Sequence, residues 1–162
     1  MLDEAAILDA SPIILLARAG FLDFLRVLDR PLVVLHPVAE EVLQKGRDDI
    51  AARALQKTGL FTTMPAPEVD PPVGLWNLGR GETAVLSWAR TRPGCLAVLD
   101  DLQARRCAEW LRIPTSGTIG IVLRAKNNGL VDAARPALQR LISVGMHLSD
   151  RTLNAVLLRV GE

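Results

Sequence analysis

The sequence predicts an α/β fold in which a central parallel sheet lies between two layers of helices, and three observations carry that prediction. Leu32-Val33-Val34-Leu35 and Leu96-Ala97-Val98-Leu99 are continuous apolar runs too short for helices, as expected of strands buried on both faces. Such runs alternate along the chain with longer segments at helical spacing, which implies parallel strands joined by right-handed crossovers. The chain has 162 residues, 49% of them hydrophobic, and no long polar tract, which suits one domain, residues 1–162, with one core.

The elements follow in order. Ala5 to Leu8 reads as a first strand, stopped by Asp9-Ala10-Ser11-Pro12. Ile13 to Leu28 then carries helical periodicity, with Ser11 placed to cap and Pro12 at the first helical position. After the strand Leu32 to Leu35, His36-Pro37 opens a helix through Leu43. Asp48 to Thr58 reads as helix and Leu60 to Met64 as a short strand. The proline-rich stretch from Pro65 to Pro72 reads as a loop. Gly81 to Arg90 is the next helix, Leu96 to Leu99 a buried strand and Asp101 to Leu111 another helix. A strand at Ile113 to Ser116 leads into a helix from Ile119 to about Asn127. Helices over Ala133 to Ser143 and Arg151 to Val160 form a C-terminal helical extension, residues 132–162, packed on the domain.

Composition narrows the function. A net charge of +1 gives no global pull toward nucleic acid, although a nuclease with few phosphate contacts and a local metal charge does not need one. Cys95 and Cys107 lack C-x-x-C spacing and read as buried thiols in a reducing cytoplasm, not as a zinc or redox motif. The start, Met1-Leu2-Asp3-Glu4, is acidic, and no apolar run approaches the ~20 residues that span a bilayer. The expectation is a soluble cytoplasmic protein without a membrane segment.

Open parallel sheets bind ligands beyond the carboxyl ends of their strands, so acids at those ends are the candidates for chemistry. Asp9 follows the first strand, and Asp100 and Asp101 follow Leu96 to Leu99. Glu40 and Glu41 lie in the helix after the second strand, and Glu82 in the first turn of the helix opened by Gly79-Arg80-Gly81. If these meet in one crevice, the cluster repels itself unless cations neutralise it, and hard oxygen ligands suit Mg²⁺ or Mn²⁺. A divalent ion there activates water and stabilises charge developing on a phosphodiester. Each acid also has a structural reading. Asp101 suits an N-cap paired with Arg105, Glu82 complements a helix dipole, and Glu40 and Glu41 suit a solvated helix face. Asp9, closing a buried strand, is the hardest to explain that way.

Other strand-end aspartate chemistries fit less well. A haloacid-dehalogenase-type phosphatase needs Asp-x-Asp, and position 11 is Ser; a phospho-accepting receiver needs an acidic pair after its first strand and a later lysine. Gly79-Arg80-Gly81-Glu82-Thr83-Ala84 matches a dinucleotide-binding pattern in letters only, since no convincing strand precedes it.

The blocks Leu8-Asp9-Ala10-Ser11-Pro12-Ile13, Val38-Ala39-Glu40-Glu41-Val42, Gly81-Glu82-Thr83-Ala84, Val98-Leu99-Asp100-Asp101 and Gly117-Thr118 resemble PIN domains in order and spacing over nearly the whole chain. The run Gly117 to Lys126 and Leu148-Ser149-Asp150-Arg151 resemble the prokaryotic DUF3368 branch in particular. The resemblance implies a PIN-like three-layer α/β/α fold with additional C-terminal helices and the activity of a Mg²⁺- or Mn²⁺-dependent ribonuclease, commonly the toxin of a toxin–antitoxin pair. It assigns metal ligation and catalysis to Asp9, Glu41, Glu82 and Asp101, with Asp100 as a further ligand. Ser11 and Thr118 would orient a carboxylate or water. It further implies RNA as substrate, a small antitoxin as partner and a homodimer. Arg80, Arg105, Arg106, Arg124 and Lys126 are candidates for phosphate contacts, or ordinary helix-surface charges. A non-catalytic module that holds RNA or protein is the competing reading.

Overall fold

Five strands, β1 (Ala6–Leu8), β2 (Leu32–Leu35), β3 (Thr62–Met64), β4 (Leu96–Val98) and β5 (Thr115–Ser116), form one sheet in the order β3-β2-β1-β4-β5. All four pairings are parallel. This computed structural model describes residues 2–57 and 59–162. Every residue of β1, β2 and β4 is buried, which is why each is an unbroken apolar run and not an alternating one.

The helices are α1 (Ala10–Ala19), α2 (His36–Leu43), α3 (Ile50–Gln56), α4 (Pro71–Gly74), α5 (Arg80–Arg90), α6 (Leu102–Trp110), α7 (Thr118–Asn127), α8 (Ala134–Ser143) and α9 (Asp150–Leu158). They flank the sheet in a three-layer α/β/α arrangement. Helix α5 packs on β1, β2 and β4 and touches α6, while α1 packs with α3, α7 and α8. One hydrophobic cluster joins the layers, from Ile7 and Leu8 in the sheet to Leu138 and Leu141 of α8 and Leu157 of α9. No helix among the described residues is long and apolar enough to cross a membrane.

The structure departs from the sequence reading at several points, each with a local cause. The helix expected through Leu28 ends at Ala19. Gly20 takes the left-handed conformation, φ 79°, and its amide closes α1 by donating to the carbonyls of Leu16 and Ala17. A 3-10 segment, Leu22–Leu28, carries the remaining apolar residues back to the core. At the other end α1 begins at Ala10, so Asp9 occupies the cap position and neither Ser11 nor Pro12 plays the part expected of it. Asp49 caps α3, its side chain accepting from the Ala51 amide at 2.9 Å; the expected helix end at Thr58 lies outside the described residues. The proline-rich loop closes into the short α4, with Pro71 and Pro72 in its first turn, where a missing N–H costs nothing.

Helix α8 has Ala133 at its cap position, a residue with no side-chain acceptor. Glu162, beyond α9, supplies one, accepting from the amides of Ala134 at 2.6 Å and Arg135 at 3.0 Å. The same carboxylate pairs with Lys126 at 2.9 Å, and the Lys126 ammonium also donates to the Val160 carbonyl at 2.8 Å. This clasp ties α7, α8 and the segment after α9 together. With a lysine and two amides holding its charged form, the Glu162 carboxyl is lowered from 4.5 to about 2. Its folded value lies below its unfolded one, so the stabilisation is present above pH 4.5 and is lost as pH falls through about 2. Glu162→Gln is therefore expected to speed hydrogen exchange at the Ala134 and Arg135 amides, and acidification of the unaltered protein over that window to reproduce the effect. Unchanged protection in the variant would show that the clasp contributes nothing to α8.

Candidate metal centre

Walking outward from β1, the chain goes to β2 and β3 on one side and returns to β4 and β5 on the other, so the strand order reverses between β1 and β4. A crevice forms at that reversal, beyond the strands' carboxyl ends. Its floor is Asp9. Leu8 pairs with Val98, and the Asp9 amide donates to the Val98 carbonyl at 3.0 Å, which continues the ladder by one bond and pins the residue to the sheet edge. The side chain is 4% exposed, and its Oδ1 has no hydrogen-bond partner. Burial is the main force raising its pKa from 3.8 to about 7; the charges of Glu82, Glu41 and Asp100 add to the rise, and the Ala10 amide opposes it.

Helix α5 points its first turn at this floor. A methyl group on Gly81 would stand 3.0 Å from Asp9 Oδ1 and 3.1 Å from Glu41 Oε2, so the absence of a side chain there lets the helix approach both carboxylates. Glu41 thus turns inward, whereas Glu40 turns to solvent and meets Arg80 at 3.5 Å. Glu82 sits one residue on, its Oε2 accepting from the Gly79 amide at 3.1 Å. Burial raises its pKa and the Gly79 amide lowers it, with the charges of Asp101 and Glu41 adding to the rise.

The two aspartates after β4 divide their tasks. Asp101 Oδ2 accepts from the Ala104 amide at 2.9 Å and caps α6, leaving Oδ1 free of that duty. Its expected partner Arg105 forms no ion pair with it. Asp100 is held on three sides, accepting from the Thr118 amide at 2.7 Å, the Thr118 hydroxyl at 2.6 Å and the Ser11 hydroxyl at 3.3 Å. Ser11 and Thr118 therefore orient a carboxylate and join α1, α7 and the end of β4.

Asp9, Glu41, Glu82, Asp100 and Asp101 all line one cavity of about 540 Å³, with Ser11 and Arg105 in its wall. Among the described residues, no three His, Cys, Asp or Glu side chains stand close enough to enclose an ion as they are placed. The donors nonetheless suit a hard cation. They are all oxygen, they repel one another, and the most buried has an unsatisfied atom facing the others. A cation would displace the proton that Asp9 retains near neutrality. A separate cavity of about 750 Å³ lies around Gly20 at the far end of α1, and among the described residues Asp23 is the one acid in its lining.

Of the basic candidates, Arg105 reaches the acidic cavity and Arg124 lies in a neighbouring cleft. Arg80 is exposed and paired with Glu40, Arg106 lies outside both cavities, and Lys126 is committed to Glu162 and Val160. Sequence reasoning missed His147, which lines the acidic cavity from the turn between α8 and α9. A lone histidine in a turn carries no signal in one sequence; only the packing of the last two helices brings it there.

Residues 5–162 match the family model described as DUF3368: PIN domain. No curated protein and no solved structure shows a match to the chain.

Because folding raises the Asp9 pKa, the folded state holds that proton more tightly, and the associated stability is present below pH 3.8 and lost as pH rises through about 7. In chelator at pH 8, Asp9→Asn is expected to unfold at higher urea than the parent, by roughly 2–4 kcal/mol, with the gap closing toward pH 4. A variant less stable than the parent at pH 8 would remove the picture of a buried, unpartnered charge.

Proposed function

The chain belongs to the DUF3368 branch of the PIN domain family, and because PIN domains in general are nucleases that use divalent metals, we propose that it is a metal-dependent ribonuclease. In this reading it hydrolyses RNA phosphodiesters with Mg²⁺ or Mn²⁺ as the toxin of a toxin–antitoxin pair acting in the cytoplasm. The observation that carries it is Asp9, a nearly sealed carboxylate at the strand reversal with an unsatisfied oxygen facing other acids.

Asp9, Glu41, Glu82 and Asp101 would hold the ion, with Asp100 beside them. When bound, the ion lowers the pKa of a water and stabilises charge on the phosphodiester. The protein does the rest. Asp100, fixed by Ser11 and Thr118, keeps the end of β4 and the start of α7 from separating under the mutual repulsion of the acids. Arg105 in the cavity wall supplies a guanidinium for a phosphate oxygen, and His147 adds a further hydrogen-bonding group beside the carboxylates. Burial of Asp9 excludes water from the floor, which strengthens every charge interaction made there.

A protein partner is supported by apolar surface away from this pocket. Leu75 and Trp110 are 84% and 63% exposed, and the Trp110 ring lies 6.3 Å from that of Trp76. A small antitoxin or a second copy of the chain would cover such a patch.

Purified protein incubated with mixed single-stranded and structured RNAs should cut with Mg²⁺ or Mn²⁺ and not in EDTA. Asp9→Asn and Asp101→Asn should each lower the rate by ~100-fold or more, since even groups that only orient metal ligands cost 10–100-fold. Wild type and variants that behave alike in all conditions would instead favour a non-catalytic module that holds RNA or protein.

A further inference from the structure

A carboxylate as buried as Asp9 is reached only by something thin enough to enter its cavity, and the surface next to that cavity differs sharply from it. Arg105 and Ile119 line both the acidic cavity and a second cleft of about 500 Å³ bounded by β5, α7 and α9. Three arginines lie along this cleft, Arg105, Arg124 and Arg159, with Asn127 and Thr152 among them and no Asp or Glu. Among the described residues none of the three forms an ion pair, whereas nearby Lys126 is spent on Glu162. In a chain of net charge +1, this is a local concentration of positive charge that the fold itself does not neutralise.

Gly117, in the wall of the second cleft, stands beside the arginine that the two cavities share. A methyl group there would stand 3.0 Å from Asp100 Oδ1 and 3.2 Å from the Arg105 guanidinium, so bare backbone lets the arginine lie directly beside the acidic loop. A ligand passing from one cavity to the other therefore meets carboxylates, then Arg105, then the remaining arginines.

We infer that this cleft binds the sugar–phosphate backbone of the single-stranded RNA segment adjoining the cleavage point, with Arg105 at the junction and Arg124 and Arg159 along the track. The inference rests on the ribonuclease reading and adds to that site a binding track for the strand beside the cleavage point. Guanidinium forks match phosphate oxygens, and asparagine and threonine add neutral hydrogen bonds to backbone groups. Among the described residues no aromatic one lines the cleft, so it offers no stacking platform and holds the strand without reading its bases. A single strand fits where a duplex does not, because its phosphate can be drawn away from neighbouring bases into the cavity above Asp9.

The test is binding, read without cleavage. Full-length Asp9→Asn protein in EDTA is titrated with a fluorescein-labelled oligouridylate by anisotropy, from roughly 50 to 200 mM salt. Arg124→Ala and Arg159→Ala should each weaken binding about 5-fold and reduce the slope of log affinity against log salt by about 0.7, the share of one phosphate contact on a single strand. Arg124→Lys and Arg159→Lys should restore most of the slope, and Arg53→Ala, in the large cavity at the far end of α1, should change nothing. The inference is overturned if the arginine variants bind like the parent, if the parent does not bind, if a duplex of equal length binds as tightly, or if polyglutamate competes better than RNA. Cleavage by the unaltered protein with binding untouched in both variants would leave the ribonuclease and remove the cleft; binding through the cleft without cleavage would do the reverse.

Discussion

Much of this structure is arranged around one uncompensated charge. Asp9 closes a strand with no exposed residue, is itself nearly buried, and its Oδ1 has no partner. A fold can retain such a group if it stays protonated or if something outside the chain neutralises it. The neighbours make protonation easier without relieving the strain, since each is another acid. The approach of α5 sharpens the constraint, because its second residue must be glycine for the helix to come this near two carboxylates. What remains is a pocket of converging carboxylate oxygens, which is what the proposed metal-dependent reading requires.

The acids after β4 show how structural and chemical roles share a residue. Asp101 caps α6 with one oxygen and turns toward the cavity with the rest of its carboxylate, so capping and ligation are not rivals. Asp100 is so thoroughly bonded that its first duty is mechanical: it staples α1 and α7 to the end of β4. Charges that repel need a rigid frame, and Ser11 and Thr118 provide it through groups that cost no further charge.

The sheet was largely legible in the sequence because β1, β2 and β4 are buried on both faces, which leaves unbroken apolar runs that nothing else explains. Edge strands were less so: β3 and β5 are shorter than the segments read as strands, since an edge is paired on one side only. The break in the first helix at Gly20 was visible as a glycine, but the apolar periodicity continued past it into the 3-10 segment and hid the stop. For the site, position relative to strand ends was enough to nominate Asp9, Asp100 and Asp101. The resemblance alone singled out Glu41 from the Glu40-Glu41 pair, and the structure separates the two by the direction each faces. His147 and Arg159 had no local signature at all, because what makes them interesting is the folding-back of α8 and α9, a contact between segments far apart in sequence.

The clasp made by Lys126 and Glu162 has a bearing on thermodynamics at a distance from itself. It fastens the end of α7 to the segment beyond α9, and both helices line the arginine-rich cleft. Walls held at a set separation need not be gathered when a ligand arrives, so the ordering entropy of association falls on the ligand. A preformed trough of this kind discriminates by the flexibility of what it receives. On the inferred role of the cleft, a limp polymer would settle into it and a stiff one would be turned away.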